Sequence, residues 1–254
     1  MSGLWVEEAG PEDAPLVVLV HGSMDRSTSF AKVVRRLRDD LRVLSYDRRG
    51  YGQSVTVAGP FTMARQIEDL LSVMADRIGV VVGHSYGGDL ALAAAEAHPD
   101  QVRGVGAFEP PMPWTDWWPT TSGGYSIVAQ SRANEDPAEV AERFMRRMIG
   151  DERWERLPAS TRAERRAEGP ALIGEIVDLQ AHAAFDPAAI TVPVVAARGS
   201  NGADHHRRSV EHLFSAVGDP AMVTIEDAGH GAHNSHPDEF AAFVRLVVAR
   251  SGLG

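Results

Sequence analysis

The pentapeptide Gly83-His84-Ser85-Tyr86-Gly87 sets a serine between two glycines, after the apolar run Val80-Val81-Val82 and before a helical pattern rich in small residues. A strand that turns into a helix within so few residues bends sharply, and the bend lifts the Ser85 hydroxyl clear of the sheet edge. Glycines on either side avoid Cβ clashes there, and the N-terminus of the following helix favours negative charge nearby. Two further segments supply matching chemistry. His21-Gly22-Ser23 closes the apolar run 16–20, so the N–H of Ser23 can face a developing oxyanion, with the N–H of Tyr86 as second donor. Gly229-His230 follows the last strand pattern and brings an imidazole to the same edge. A hydroxyl, an imidazole and two N–H donors are the parts of an acyl transfer through serine. Few other side chains compete for the nucleophile's place. The 254-residue chain has no cysteine, which excludes thiolate nucleophiles, disulfides and Cys-ligated zinc. Its only lysine, Lys32, is followed by Val33-Val34 and belongs to no phosphate-binding Gly-Lys-Ser/Thr loop.

The elements that must carry these residues alternate between short β-branched runs and helical patterns. Strands are expected over residues 4–8, 16–20, 42–46, 78–82, 102–108, 192–197 and 222–226. Helices are expected over 30–37, 63–74, 87–98, 205–217 and 238–250. That rhythm predicts a doubly wound, mostly parallel α/β sheet. It breaks at residues 111–185, where Trp114, Trp117 and Trp118 precede two Arg/Glu-rich amphipathic stretches, 137–149 and 163–182, with no strand pattern. The expected organisation is therefore a core of residues 1–110 and 186–254 interrupted by a helical insertion.

Charge narrows the partners. Twenty-five basic against 35 acidic residues give a net charge of −10, which argues against nucleic acid, because phosphate binding needs a basic surface. The start lacks a basic stretch followed by an apolar one, and no apolar run approaches the ~20 residues that span a bilayer. The expectation is a cytoplasmic protein acting on a small molecule, without a signal peptide or membrane span.

These motifs resemble the α/β-hydrolase fold superfamily along nearly the whole chain outside the insertion. The resemblance rests on His21-Gly22, on Asp47-Arg48-Arg49-Gly50-Tyr51-Gly52-Gln53-Ser54, on residues 83–88, and on Gly229-His230 with Pro237 seven residues on. It implies a variable helical cap between strands six and seven of the family's count, Ser85 as nucleophile and His230 as general base and then acid. The usual acid position beyond strand seven reads Gly199-Ser200-Asn201-Gly202, without a carboxylate. Asp204 lies two residues further. Glu109, first beyond the strand that follows the elbow helix, occupies the position that some members use instead, and it is the assigned acid.

Around this triad, Met24 and Trp114 are expected to line an apolar substrate pocket, with indole contributing contact area at low entropic cost. His230, His233 and His236 have a spacing that a metal could use, and His205-His206 lies near Asp204. Glycine interruptions and the lack of a His-Glu-x-x-His motif leave neither metal nor cofactor in the reading. The expected activity is hydrolysis of an ester or related acyl bond of a small apolar substrate by a Ser-His-Glu triad. Lactonase, C–C hydrolase and perhydrolase chemistry share these residues, and a receptor-like binding protein is the competing class. Dehalogenases and epoxide hydrolases of the fold carry Asp where this chain has Ser85.

Overall fold

The computed structural model describes residues 3–130 and 134–254; Met1, Ser2 and residues 131–133, the last within the expected insertion, lie outside the described residues. Seven strands form one sheet: β1 (Val6–Ala9), β2 (Leu16–Val20), β3 (Arg42–Tyr46), β4 (Gly79–His84), β5 (Val102–Phe108), β6 (Val194–Gly199) and β7 (Pro220–Ile225). Their order is β1-β3-β2-β4-β5-β6-β7, with β1 antiparallel at one edge and every other pairing parallel.

Side-chain alternation along the strands divides the core into two layers. Val18, Val20 and Val81 face a layer shared with α2 (Met63–Met74) and α3 (Tyr86–Ala97), whose apolar stripe includes Met63, Leu70, Leu90 and Leu92. Val17, Leu19, Val80 and Val82 face the opposite layer, closed by α1 (Ala31–Leu37) through Val33 and Leu37 and by the C-terminal helix, residues 237–251, through Phe240, Phe243, Val244 and Val247. A sheet covered on both sides buries its central strands completely, which is why β2 and residues 80–82 of β4 read as uninterrupted apolar runs.

Between β5 and β6 the chain leaves the sheet and forms α4 (Gly123–Ala129), α5 (Pro137–Ile149), α6 (Asp151–Arg156), α7 (Ala159–Ala167) and α8 (Gly169–Ala181). By the chain's own count these flanking strands are the fifth and sixth; the family's count makes them six and seven. The stretch 163–182, expected as one amphipathic segment, is split at Glu168 into α7 and α8. Pro170 lacks an N–H and suits the first turn of a helix, so a new helix starts there. A third apolar cluster, including Ile127, Val140, Phe144, Trp154, Leu172 and Ile176, binds these helices to one another and to Met24 and Tyr51 of the sheet's loops. The remaining helices are α9 (Asp204–Ala216), α10 (Ala232–Ser235) and α11 (Pro237–Ser251). No helix among the described residues is long and apolar enough to cross a membrane.

Candidate active site

The register of the central strands brings the expected residues to one edge. His84 pairs with Phe108 across β4 and β5, so Ser85 and Glu109 each stand one residue beyond neighbouring strand ends. The ladder continues through them: Ser85 N–H donates to the Phe108 carbonyl at 2.9 Å, and Glu109 N–H to the Ala197 carbonyl at 2.9 Å. Ser85 has φ 54° and ψ −127°, and Glu109 has φ 47°, both outside the regions that L-residues ordinarily populate. Such strain persists only where surrounding structure enforces it. At Ser85 the enforcement is visible: a Cβ on Gly83 would collide with the Gly87 carbonyl, and one on Gly87 with the Val20 carbonyl. The elbow can close only with glycine at both positions.

Glu109 is fully buried. Its Oε1 accepts the Gly199 N–H at 3.0 Å, and its Oε2 lies 2.6 Å from Nδ1 of His230, held by the loop between β7 and α10. A carboxylate against Nδ1 favours the tautomer with its proton there and frees Nε2 to accept. Two more imidazoles hold the His230 segment. His84 Nε2–H donates to the His230 carbonyl at 2.8 Å, and the ring of His206 stacks on that of His230 at 4.5 Å between centroids, 16° from parallel. Burial, reinforced by neighbouring imidazoles, pushes His84 and His206 well below the usual histidine range, so both are neutral. Asp204, by contrast, sits at the start of α9 with an exposed carboxylate paired to Arg207.

A cavity of about 630 Å³ opens over this edge. Ser85, His230, Ser23, Tyr86 and Met24 all line it, whereas Glu109 lies behind His230, out of its reach. Met24 is buried with φ 55°, and its carbonyl accepts from Arg165 of α7 at 3.0 Å, which fixes the loop carrying Ser23. As the first residue of α3, Tyr86 has an N–H without an intrahelical acceptor.

Trp114 does not line the cavity. The turn closed by Thr115 N–H on the Met112 carbonyl directs it edge-on against Phe185, 5.4 Å away, so it packs on the core. Trp118, one turn further, takes the wall instead. Its indole N–H donates to Ser122 at 2.8 Å, and its ring meets His205 at 4.7 Å and His206 at 5.5 Å. Phe144 and Met145 of α5 and Ile176 and Leu179 of α8 complete the apolar side. Sequence reasoning favoured Trp114 over Trp117 and Trp118 for the pocket wall and gave His205 and His206 no place in it. The signal was present as two histidines in the first turn of a helix that leaves the same sheet edge.

Arg48 and Arg49 pin loops by ion pairs. Arg48 is fully buried, 2.9 Å from Glu175 of α8, and Arg49 grips Asp69 of α2 with two hydrogen bonds of 2.7 Å. Of the histidines with metal-like spacing, His236 turns to Ser235 at the surface, while His230 and His233 fall into two separate groups of ligating side chains.

Comparison with known proteins agrees with this architecture. Along its whole length the chain is similar to lipase LipV of Mycobacterium tuberculosis, 24% identical over 95% of this chain and 96% of the relative. It is 39% identical over 100 residues to proline iminopeptidase PfmaB of Pestalotiopsis fici (37% of this chain, 35% of the relative), and 37% identical over 109 residues to the putative carbamate hydrolase RutD of a Caulobacter species (40% of each). The matched region thus spans only about a third to two fifths of those two relatives' length. Among solved structures, an esterase from Thermogutta terrifontis superposes with a TM-score of 0.76 at 22% identity, covering 98% of this chain and 93% of the other. The enol-lactonase of Burkholderia xenovorans gives 0.73 at 23%, covering 97% and 96%. The model of the alpha/beta hydrolase family matches residues 17–243, nearly the full sheet and all the helices between its halves, and this chain belongs to that family.

Proposed function

We propose that the protein is a serine hydrolase that cleaves an ester or related acyl bond of a small apolar substrate. The observation that carries this reading is the 2.6 Å contact of the buried Glu109 carboxylate with His230 Nδ1, beside a strained Ser85 on the same cavity. In the mechanism, Ser85 Oγ attacks the acyl carbon while His230 Nε2 takes its proton, and Glu109 stabilises the imidazolium that forms. The N–H groups of Ser23 and Tyr86 hold the oxyanion. His230 returns the proton to the leaving group, and water then frees the acyl group by the reverse sequence. Neutral His206, stacked on His230, offers its π-face to the imidazolium.

The helices between β5 and β6 act as the cap. Their Phe144, Met145, Ile176 and Leu179 form the apolar wall against which the acyl or alcohol part rests. A cavity of about 630 Å³ lies within the usual ~300–1,000 Å³ range of small-molecule sites. Serine rather than aspartate at the elbow separates this chemistry from alkyl-enzyme hydrolysis, although epoxide hydrolase A of Mycobacterium tuberculosis is 32% identical over 58% of the chain. A short-chain p-nitrophenyl ester tests the reading. The parent protein is expected to release p-nitrophenol, and Ser85→Ala to release none above background. Equal release by both would exclude Ser85 as nucleophile.

A further inference from the structure

Two groups of metal-ligating side chains occur among the described residues. One, Glu109 with His206 and His230, belongs to the proposed catalytic machinery. The other, Asp25 with His84 and His233, enters no step of that mechanism. We propose that Asp25, His84 and His233 form a binding site for a divalent transition metal ion of the zinc class.

Three loops of the sheet edge converge there: Asp25 follows β2, His84 ends β4 and His233 lies in α10. One ligand atom from each lies within 4.8 Å of the others. Asp25 Oδ2 and His233 Nε2 are 3.3 Å apart. Two ligands at ~2.0–2.1 Å from a tetrahedral zinc stand about 3.3 Å from each other, so this pair already has the spacing of one edge of the polyhedron. The rings of His84 and His233 are 4.4 Å apart.

The nitrogens themselves point to a missing partner. His84 and His233 are 6% and 2% exposed. His84 uses Nε2–H on the His230 carbonyl, which leaves Nδ1 as a bare lone pair, and that Nδ1 is buried without a hydrogen-bond partner. Neither ring nitrogen of His233 has a partner of hydrogen-bond geometry, Nε2 only facing the Asp25 carboxylate at 3.3 Å. A buried nitrogen left unsatisfied is costly, and an ion held by His84 Nδ1 and His233 Nε2 would satisfy both. The surroundings are those of ligands. His84 spends its second nitrogen on a backbone carbonyl, as ligating imidazoles usually do, and Asp25 Oδ2 accepts the Ser29 hydroxyl at 3.0 Å.

Two imidazoles and one carboxylate suit zinc-class ions, whereas calcium and magnesium require oxygen ligands. All three residues line the cavity, so an ion can enter from it and keep its fourth position open to it. A bound ion would cross-link the Ser23 loop, the elbow and the His230 loop. Ligands at positions 25, 84 and 233 make no contiguous motif, so sequence spacing gives no sign of them.

The test takes the chelator-stripped full chain and titrates it with Zn²⁺, and with Co²⁺ as a spectroscopic probe. One ion per chain is expected, with a raised thermal midpoint and the intense visible bands of four-coordinate Co²⁺. Asp25→Asn, which keeps the side-chain volume, and His233→Gln are each expected to weaken Zn²⁺ binding by about 10–100-fold or more. Circular dichroism confirms that both variants are folded, and His206→Ala is expected to retain the ion. No stoichiometric uptake by the folded parent would overturn the proposal. So would uptake that survives Asp25→Asn and is lost in His206→Ala, because the ion would then sit on Glu109, His206 and His230. Neither result depends on esterase activity, so the proposal stands or falls apart from the acyl-transfer reading.

Discussion

At the scale of single residues, geometry sets the two candidate carboxylates apart. Glu109 is buried against His230, whereas Asp204 pairs with Arg207 in solvent. The acid's role is to fix the imidazole tautomer and stabilise its charged form, worth about 10⁴ in turnover in the serine-protease template. Glu109→Gln is therefore expected to lower kcat for an ester by several powers of ten, with Asp204→Asn near the parent value. Parent-like turnover by Glu109→Gln would remove it from the triad. Ser85 and His230 were legible because each sits in a local motif that the chain must fold in one way. Glu109 was legible from its position one residue past a strand. Trp114 was not placed correctly, because the direction of a side chain in the irregular turn at 112–115 has no periodicity to read. Asp25, His84 and His233 meet only once the sheet has brought together the segments at the ends of β2, β4 and β7.

At the scale of elements, the buried strands were the easiest to read and the helices between β5 and β6 the hardest. A strand covered on both faces needs an unbroken apolar run, while a helix packed on other helices can carry charge on most of its surface. The short helices α4 and α6 had no signal strong enough to separate them from turns. Part of what anchors this segment to the sheet is polar. Glu175 of α8 accepts from Arg48 at 2.9 Å and from the Tyr51 hydroxyl at 2.6 Å, with both ends of the ion pair fully buried. The Arg48 guanidinium also lies 4.4 Å from the ring of Tyr86, next to the nucleophile. Removing one partner of a buried pair strands the other charge and costs about 3–5 kcal/mol. Glu175→Ala is expected to lower the free energy of urea unfolding by that amount, and Glu175→Gln by less. A change under about 1 kcal/mol, the range of an exposed ion pair, would show that α8 is not held by this charge.

At the scale of the whole molecule, folding must keep several histidines uncharged. His21 is fully buried, donates from Nδ1 to the Gly22 carbonyl and accepts the Arg48 N–H on Nε2 at 2.9 Å. Burial, then the adjacent Arg48 charge, lowers it from the ordinary 6.5 to about 3. His206 is shifted in the same direction. Between those two values the unfolded chain binds more protons than the folded one, so stability is lost as pH falls. The contribution is fully present above pH 6.5 and declines toward pH 3, at roughly 1.4 kcal/mol per pH unit for each proton. Urea unfolding at pH 7, 6, 5 and 4 is expected to show that decline, with a shallower slope in His21→Asn. A stability independent of pH over this range would contradict the burial of these rings in their neutral form.

The most direct measurement of the central claim is the mass of the protein quenched during p-nitrophenyl ester turnover. An adduct of one acyl group is expected, confined to the peptide that carries Ser85, absent from Ser85→Ala and accumulating as p-nitrophenol is released. Turnover without any acyl adduct, or an adduct on another residue, would contradict it.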